Sequence, residues 1–107
     1  MIKAIMIEIS KNGDQFVVKP NVDLVASMAN EFRSQLHGLI QKSPKKLVID
    51  LIGVKMVDSV GIGVIIATHN SLNKSGGELR VINVADDIFT LFNTMRLDHH
   101  FTIEKRE

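Results

Sequence analysis

The sequence predicts an α/β sandwich: a mixed, mostly parallel β-sheet with helices packed on it, in the order ββαβαβαβ. Three observations carry that expectation. Strand-like and helix-like hydrophobic periodicities alternate along the chain. The run Leu47-Val48-Ile49-Asp50-Leu51 is short and rich in β-branched residues, as a buried central strand requires. Helix breakers, Pro44 and Gly76-Gly77, stand where the helical patterns stop. Once strands and helices alternate, right-handed crossovers make the sheet mostly parallel.

Taken in order, residues 2–9 (IKAIMIEI) and 14–18 (DQFVV) read as a hairpin around the turn-forming Lys11-Asn12-Gly13-Asp14. Pro20-Asn21 closes its second strand. From Asp23, apolar Leu24, Val25, Met28, Phe32, Leu36, Leu39 and Ile40 recur at three-and-four spacing, an amphipathic helix of about five turns. Pro44 prevents its continuation, and Leu47–Leu51 follows as the central strand. A second helix starts at Ser59 and runs to Lys74. Its first half is apolar nearly all round, and the small Gly61 and Gly63 are expected to permit close backbone approach. Leu79–Val84 is a further strand, Asp86 or Asp87 caps a short helix through about Met95, and Phe101-Thr102-Ile103 ends the pattern as a short strand.

At 107 residues the chain is expected to form one domain, 1–107, with a single core. A composition of 45% hydrophobic and 23% charged residues lies far from that of disordered chains. Thirteen basic against twelve acidic residues give a net charge of +1, too little to recruit nucleic acid or an anionic membrane by its field. Partners are therefore expected to be recognised by shape. The lack of cysteine removes disulfides and thiolate chemistry. Lys3 and Glu8 interrupt the apolar stretch Met1–Ile9, which lacks a small-residue cleavage site, so neither a signal peptide nor an anchor is indicated. No other segment approaches the roughly 20 apolar residues that cross a bilayer. A soluble, cytoplasmic protein is expected.

The most informative segment is Lys46 to Gly63, a strand and a loop ending in Met56-Val57-Asp58, followed by Ser59 at a helix start. Two readings of Ser59 compete. As an N-cap it would spend its hydroxyl on a backbone N–H two or three residues later, a contribution of about 1 kcal/mol. As a phosphoacceptor it would lie where unsatisfied N–H groups and the positive end of the helix dipole accommodate an anion. A phosphate there would add about −1.5 to −2 charge beside Asp58 and repel a partner docked over that lip.

The residues Leu47–Leu51, Val54, Val57-Asp58-Ser59-Val60-Gly61-Ile62-Gly63 and Gly76-Gly77-Glu78-Leu79-Arg80-Val81-Ile82-Asn83-Val84 resemble the STAS domain, a family named for sulfate transporters and anti-sigma-factor antagonists. Its hallmark is an Asp-Ser-Ser/Thr-Gly-Leu/Ile-Gly turn between a buried strand and a helix, then a Gly-Gly loop and an apolar strand ending in Asn-Val. The likeness covers most of the chain, including Val22-Asp23, where antagonists carry an Ile/Leu-Asp pair before the first helix.

The resemblance implies that Ser59 is phosphorylated with ATP by a partner that is both anti-sigma factor and serine kinase, and is restored by a PP2C-type phosphatase. The unphosphorylated antagonist would bind the kinase and release the sigma factor. Val22, Asp23, Asp58, Ser59, Val60, Gly61 and Ile62 are then the expected partner-binding residues. The alternative within the family is a constitutive scaffold or adaptor, such as a stressosome or lipid-transport subunit, in which Ser59 is only a cap. No cofactor is implied, and self-association is left open. Three positions depart from the pattern: Val60 replaces a second Ser or Thr, Lys19-Pro20-Asn21 lacks a usual glycine, and Met95-Arg96-Leu97 stands for Thr/Ser-Gly-Leu.

Other constellations point elsewhere only weakly. Gly61-Ile62-Gly63 offers two glycines of a dinucleotide fingerprint, but Ile66 occupies the third position. Asp50 ends a strand as in phosphoaspartate receivers, yet the isolated Glu8 is no acidic cluster for a hard cation, so Asp50 is expected to hydrogen-bond the adjacent loop. His99-His100, taken as strand neighbours, would point to opposite faces, and His37 and His69 stand singly on helices. No Gly-x-Ser-x-Gly elbow surrounds Ser59, and no catalytic activity is expected. Lys42, Lys45 and Lys46 read as a solvated connection.

Overall fold

The computed structural model describes residues 7–107. Its elements follow the expected order: β1 (Glu8–Asn12), β2 (Gln15–Lys19), α1 (Ala26–Ile40), β3 (Lys46–Asp50), α2 (Ser59–Lys74), β4 (Glu78–Val84), α3 (Asp86–Thr94), a 3₁₀ turn (Leu97–His99) and β5 (Thr102–Lys105). The five strands form one sheet in the order β1-β2-β3-β4-β5. Only β1–β2 is antiparallel, and β2, β3, β4 and β5 run parallel.

Strands that follow one another across the sheet, joined by right-handed crossovers, place α1, α2 and α3 on one face. Burial alternates to match. Phe16, Val18, Leu47, Ile49, Leu79 and Val81 are buried in the core beneath the helices, whereas on the opposite face Val17, Arg80 and Ile82 are half-buried and Val48 of the central strand is buried. That open face is tied by ion pairs, Lys46 with Glu78 at 3.5 Å and Arg80 with Glu104. α1 and α2 pack side by side, burying Phe32, Leu36 and Leu39 from one and Ile62, Val64, Ile65 and Leu72 from the other.

The first strand of the hairpin runs on to Asn12, beyond the end at Ile9 that its hydrophobic pattern suggested. Residues 2–6 of the expected first strand fall outside the described residues, and the pairing runs from Glu8↔Lys19 to Asn12↔Gln15, leaving Gly13-Asp14 as a two-residue turn. Gly13 takes φ +64°, which glycine adopts without steric cost.

Helix ends explain the remaining boundaries. α2 stops in a Schellman arrangement: Gly76, at φ +82°, donates to the Asn73 carbonyl at 3.2 Å, and Gly77 donates to Leu72 at 2.8 Å. A side chain at Gly77 would also lie 2.6 Å from the Pro44 carbonyl, so this position is glycine for packing as well. α3 begins after Ala85 rather than being capped by Asp86 or Asp87, whose charges sit in its first turn. It ends with Arg96 in the left-handed region, φ 60° and ψ 29°, a conformation that costs a non-glycine residue.

Candidate functional site

Asp23 and Asp58, which ordinary patterning would scatter into two loops, form one hydrogen-bonded unit. Asp23 does not start α1, as the apolar spacing suggested. Its Oδ1 instead accepts the backbone N–H groups of Lys55 at 2.8 Å and Met56 at 3.1 Å. Leu24 then bridges the same loop in parallel fashion, donating to the Met56 carbonyl at 3.0 Å and accepting from Asp58 N–H at 3.1 Å. The segment before α1 and the segment before α2 are thereby stitched together.

Asp58 completes the stitch with its side chain. One carboxylate oxygen accepts the Gly61 N–H at 2.9 Å, capping α2, and the other accepts the Ala26 N–H at 2.9 Å, at the first residue of α1. A single carboxylate therefore holds the starts of both helices. The Gly61 amide above all, with those of Ala26, Val60 and Asp58 itself, holds its pKa below the ordinary aspartate value of 3.8, against an opposing desolvation.

That lowered value gives a pH signature. A carboxyl whose folded pKa lies under its unfolded one contributes stability that is present above 3.8 and is lost as pH falls through the folded value. Asp58→Ala is expected to be less stable than wild type at neutral pH, and the gap is expected to narrow in acid. Urea unfolding of both proteins, repeated from pH 7 downward, measures this, and a gap independent of pH rules out the charged cap.

The cap of α2 is thus Asp58, not Ser59. Ser59 occupies the first helical position, is exposed, and carries no side-chain hydrogen bond among the described residues. The duty that competed for its hydroxyl is performed by its neighbour.

The other expected partner-binding residues divide by exposure. Val60 stands out at 40% exposed, and Val22, Asp23 and Asp58 are half-buried around the lip. Gly61 and Ile62 are buried and support the site from below. A Cβ on Gly61 would collide with the Leu24 carbonyl oxygen and lie 3.0 Å and 3.1 Å from the carbonyl carbon and Cβ of Leu24. Close approach is real there. At Gly63 it is not: its Cβ would meet nothing within 4 Å, and the residue lies on the exposed side of α2 one turn beyond Ser59.

Sequence reasoning did not single out two further surface residues of the same loop, Ile52 and Met56, exposed at 36% and 56%. The sequence shows them as two of several apolar residues in this loop, and only the structure separates them from the buried Val54 and Val57. Asp50 behaves as expected, its Oδ1 accepting the Ile52 N–H at 3.0 Å and the Asn83 amide at 2.9 Å. His99 and His100 are not strand neighbours. They end the 3₁₀ turn, and the ring of His69 on α2 approaches that of His100.

The STAS domain family model matches residues 6–107. The chain belongs to the STAS domain family. Within the solved members of this fold, the STAS domain is similar to an anti-sigma factor antagonist from Mycobacterium paratuberculosis, at 24% identity and TM-score 0.84, over 94% of this chain and 86% of that one. It is similar also to the phosphorylated form of the Bacillus cell fate determinant SpoIIAA, at 13% identity and TM-score 0.74, over 92% and 90%. A sulfate transporter family protein from Wolinella succinogenes matches at 16% identity and TM-score 0.76, over 89% and 80%. Anti-sigma factor antagonists and a transporter family protein thus share the fold, and at these identities the likeness speaks to fold alone. Among the described residues, no helix of this STAS domain is long and apolar enough to cross a membrane.

Proposed function

We propose that this STAS domain is a cytoplasmic anti-sigma-factor antagonist switched by phosphorylation of Ser59. The observation that carries the reading is the division of labour at the start of α2: Asp58 makes the cap, so Ser59 is exposed and its hydroxyl is unengaged among the described residues. A kinase can reach it without unfolding the helix. The unphosphorylated form binds an anti-sigma factor that is also a serine kinase, and the sigma factor is released.

In the transfer step, the Ser59 oxygen forms a bond to the γ-phosphorus of ATP as the bond to ADP breaks, and the hydroxyl proton leaves. A PP2C-type phosphatase hydrolyses the ester and resets the protein. The docking surface comprises Ser59, Val60 and the lip residues Val22, Asp23 and Asp58, with Ile52 and Met56 adding apolar area. Gly63 fits this use, since an exposed mid-helix glycine costs about 0.5–1 kcal/mol relative to alanine and no packing within the chain calls for it.

Incubating the protein with candidate serine kinases and ATP, followed by intact-mass measurement and site mapping, tests the reading. One phosphoryl group on Ser59 in wild type and none on Ser59→Ala is the expected result. Tight partner binding without any modification would instead favour a constitutive scaffold or adaptor.

A further inference from the structure

The chain places His69, in the third turn of α2, against His100, just ahead of β5. Their ring centroids are 6.1 Å apart with planes inclined by 53°. His69 also lies 5.4 Å from the ring of the buried Phe101, which fixes one side of the pair. Both histidines border two cavities, one of about 170 Å³ reaching Ile66, Asn70 and Leu97, and one of about 280 Å³ reaching Asn73 and Thr102.

We propose that His69 and His100 form a two-imidazole site for a divalent transition-metal ion of the zinc, nickel or copper type, with water completing its coordination. Imidazole nitrogen is a preferred ligand for these ions. A Zn–N bond of about 2.0–2.1 Å puts each ring centroid about 3 Å from the metal, so two rings on one ion lie roughly 5 to 6 Å apart. The observed 6.1 Å is wider than that range, and side-chain rotation has to bring the rings closer for both to reach one ion. The cavities supply the room that bound water needs.

Among the described residues no third imidazole, thiolate or carboxylate ligand joins the pair. Glu78 borders the larger cavity, but its carboxylate pairs with Lys46 on the open face of the sheet. Among the described residues no group of three or more His, Cys, Asp or Glu side chains could hold an ion. The site is therefore exchangeable rather than structural. When occupied it ties α2, the helix that opens at Ser59, to the chain entering the edge strand β5.

The full chain, stripped with EDTA and titrated with ZnCl₂ and separately NiCl₂, tests this by calorimetry and by NMR of the imidazole resonances. One equivalent is expected to bind with the His69 and His100 signals shifting together. His69→Gln and His100→Gln are each expected to weaken binding by at least about tenfold. His37→Gln and His99→Gln are expected to leave it unchanged. Excess zinc is expected to raise the wild-type Tm by several degrees, a rise absent from the His69 and His100 variants. Because His100 is exposed, His69 only half-buried, and glutamine keeps a similar size, circular dichroism of the metal-free variants is expected to match wild type, so lost binding is not lost folding. Unchanged affinity in both variants, or shifts centred on His37 or His99, overturns the site.

Discussion

Ser59→Asp is expected to bind the anti-sigma factor at least about tenfold more weakly than wild type, and phosphorylated Ser59 about 100-fold more weakly, while Ser59→Ala binds normally. The difference follows from charge. A carboxylate adds one negative charge to a lip that already carries Asp58, and phosphoserine adds about −1.5 to −2. Each 1.4 kcal/mol of repulsion and uncompensated desolvation is a factor of about ten in affinity, and an apposed like charge costs several kcal/mol. The N–H groups that would otherwise neutralise the added anion are partly committed, since Asp58 already accepts from Gly61 and Ala26.

Folding is not at stake in that comparison. Ser59 is exposed in the first turn, where a negative side chain is compatible with the helix dipole, so its variants are expected to unfold within about 0.5 kcal/mol of wild type. Affinity measured by calorimetry or surface capture, beside urea unfolding of the same samples, separates the two effects. Equal affinity for Ser59→Asp and wild type would remove the electrostatic switch and leave the constitutive scaffold.

Element order and core were legible because they follow from local patterns that point the same way. Leu47, Ile49, Leu79 and Val81 carry strand periodicity, and Phe32, Leu36 and Leu39 carry helical spacing. What was not legible depends on contacts between distant residues. β1 is an edge strand exposed along its whole length, so no buried face sets its register, and the Gly13-Asp14 turn does so instead. Leu24 and Val25 fit a helical stripe, yet pairing of Leu24 with Val57 holds the chain extended until Ala26.

The site shows the same division. Asp58 and Ser59 are both good capping residues at adjacent positions, and sequence spacing alone does not choose between them. The choice is made by the second oxygen of Asp58, which reaches Ala26 across the α1–α2 junction while the first caps α2, a span that the single oxygen of a serine does not offer. His69 and His100 likewise stand far apart in sequence, and only the fold, which brings the chain ahead of β5 against α2, sets their rings together.

Gly61→Ala is expected to cost about 3 kcal/mol or more, although alanine is the better helix former. The added methyl would enter the space of the Leu24 carbonyl oxygen, which is backbone and cannot swing aside as a side chain can. That carbonyl accepts the Asp58 N–H at 3.1 Å, and the Leu24 N–H donates to Met56 at 3.0 Å. Moving it opens the stitch between the two loops and strands buried polar groups, so the overpacking cost is compounded by lost hydrogen bonds. Gly63→Ala is the internal control: the same substitution, two residues on in the same helix, meets nothing within 4 Å and is expected to stabilise by about 0.5–1 kcal/mol. Urea unfolding of the pair should therefore give shifts of opposite sign. Two stabilising shifts would mean that α2 and Leu24 separate easily, in which case the clamp does not hold Ser59 in place.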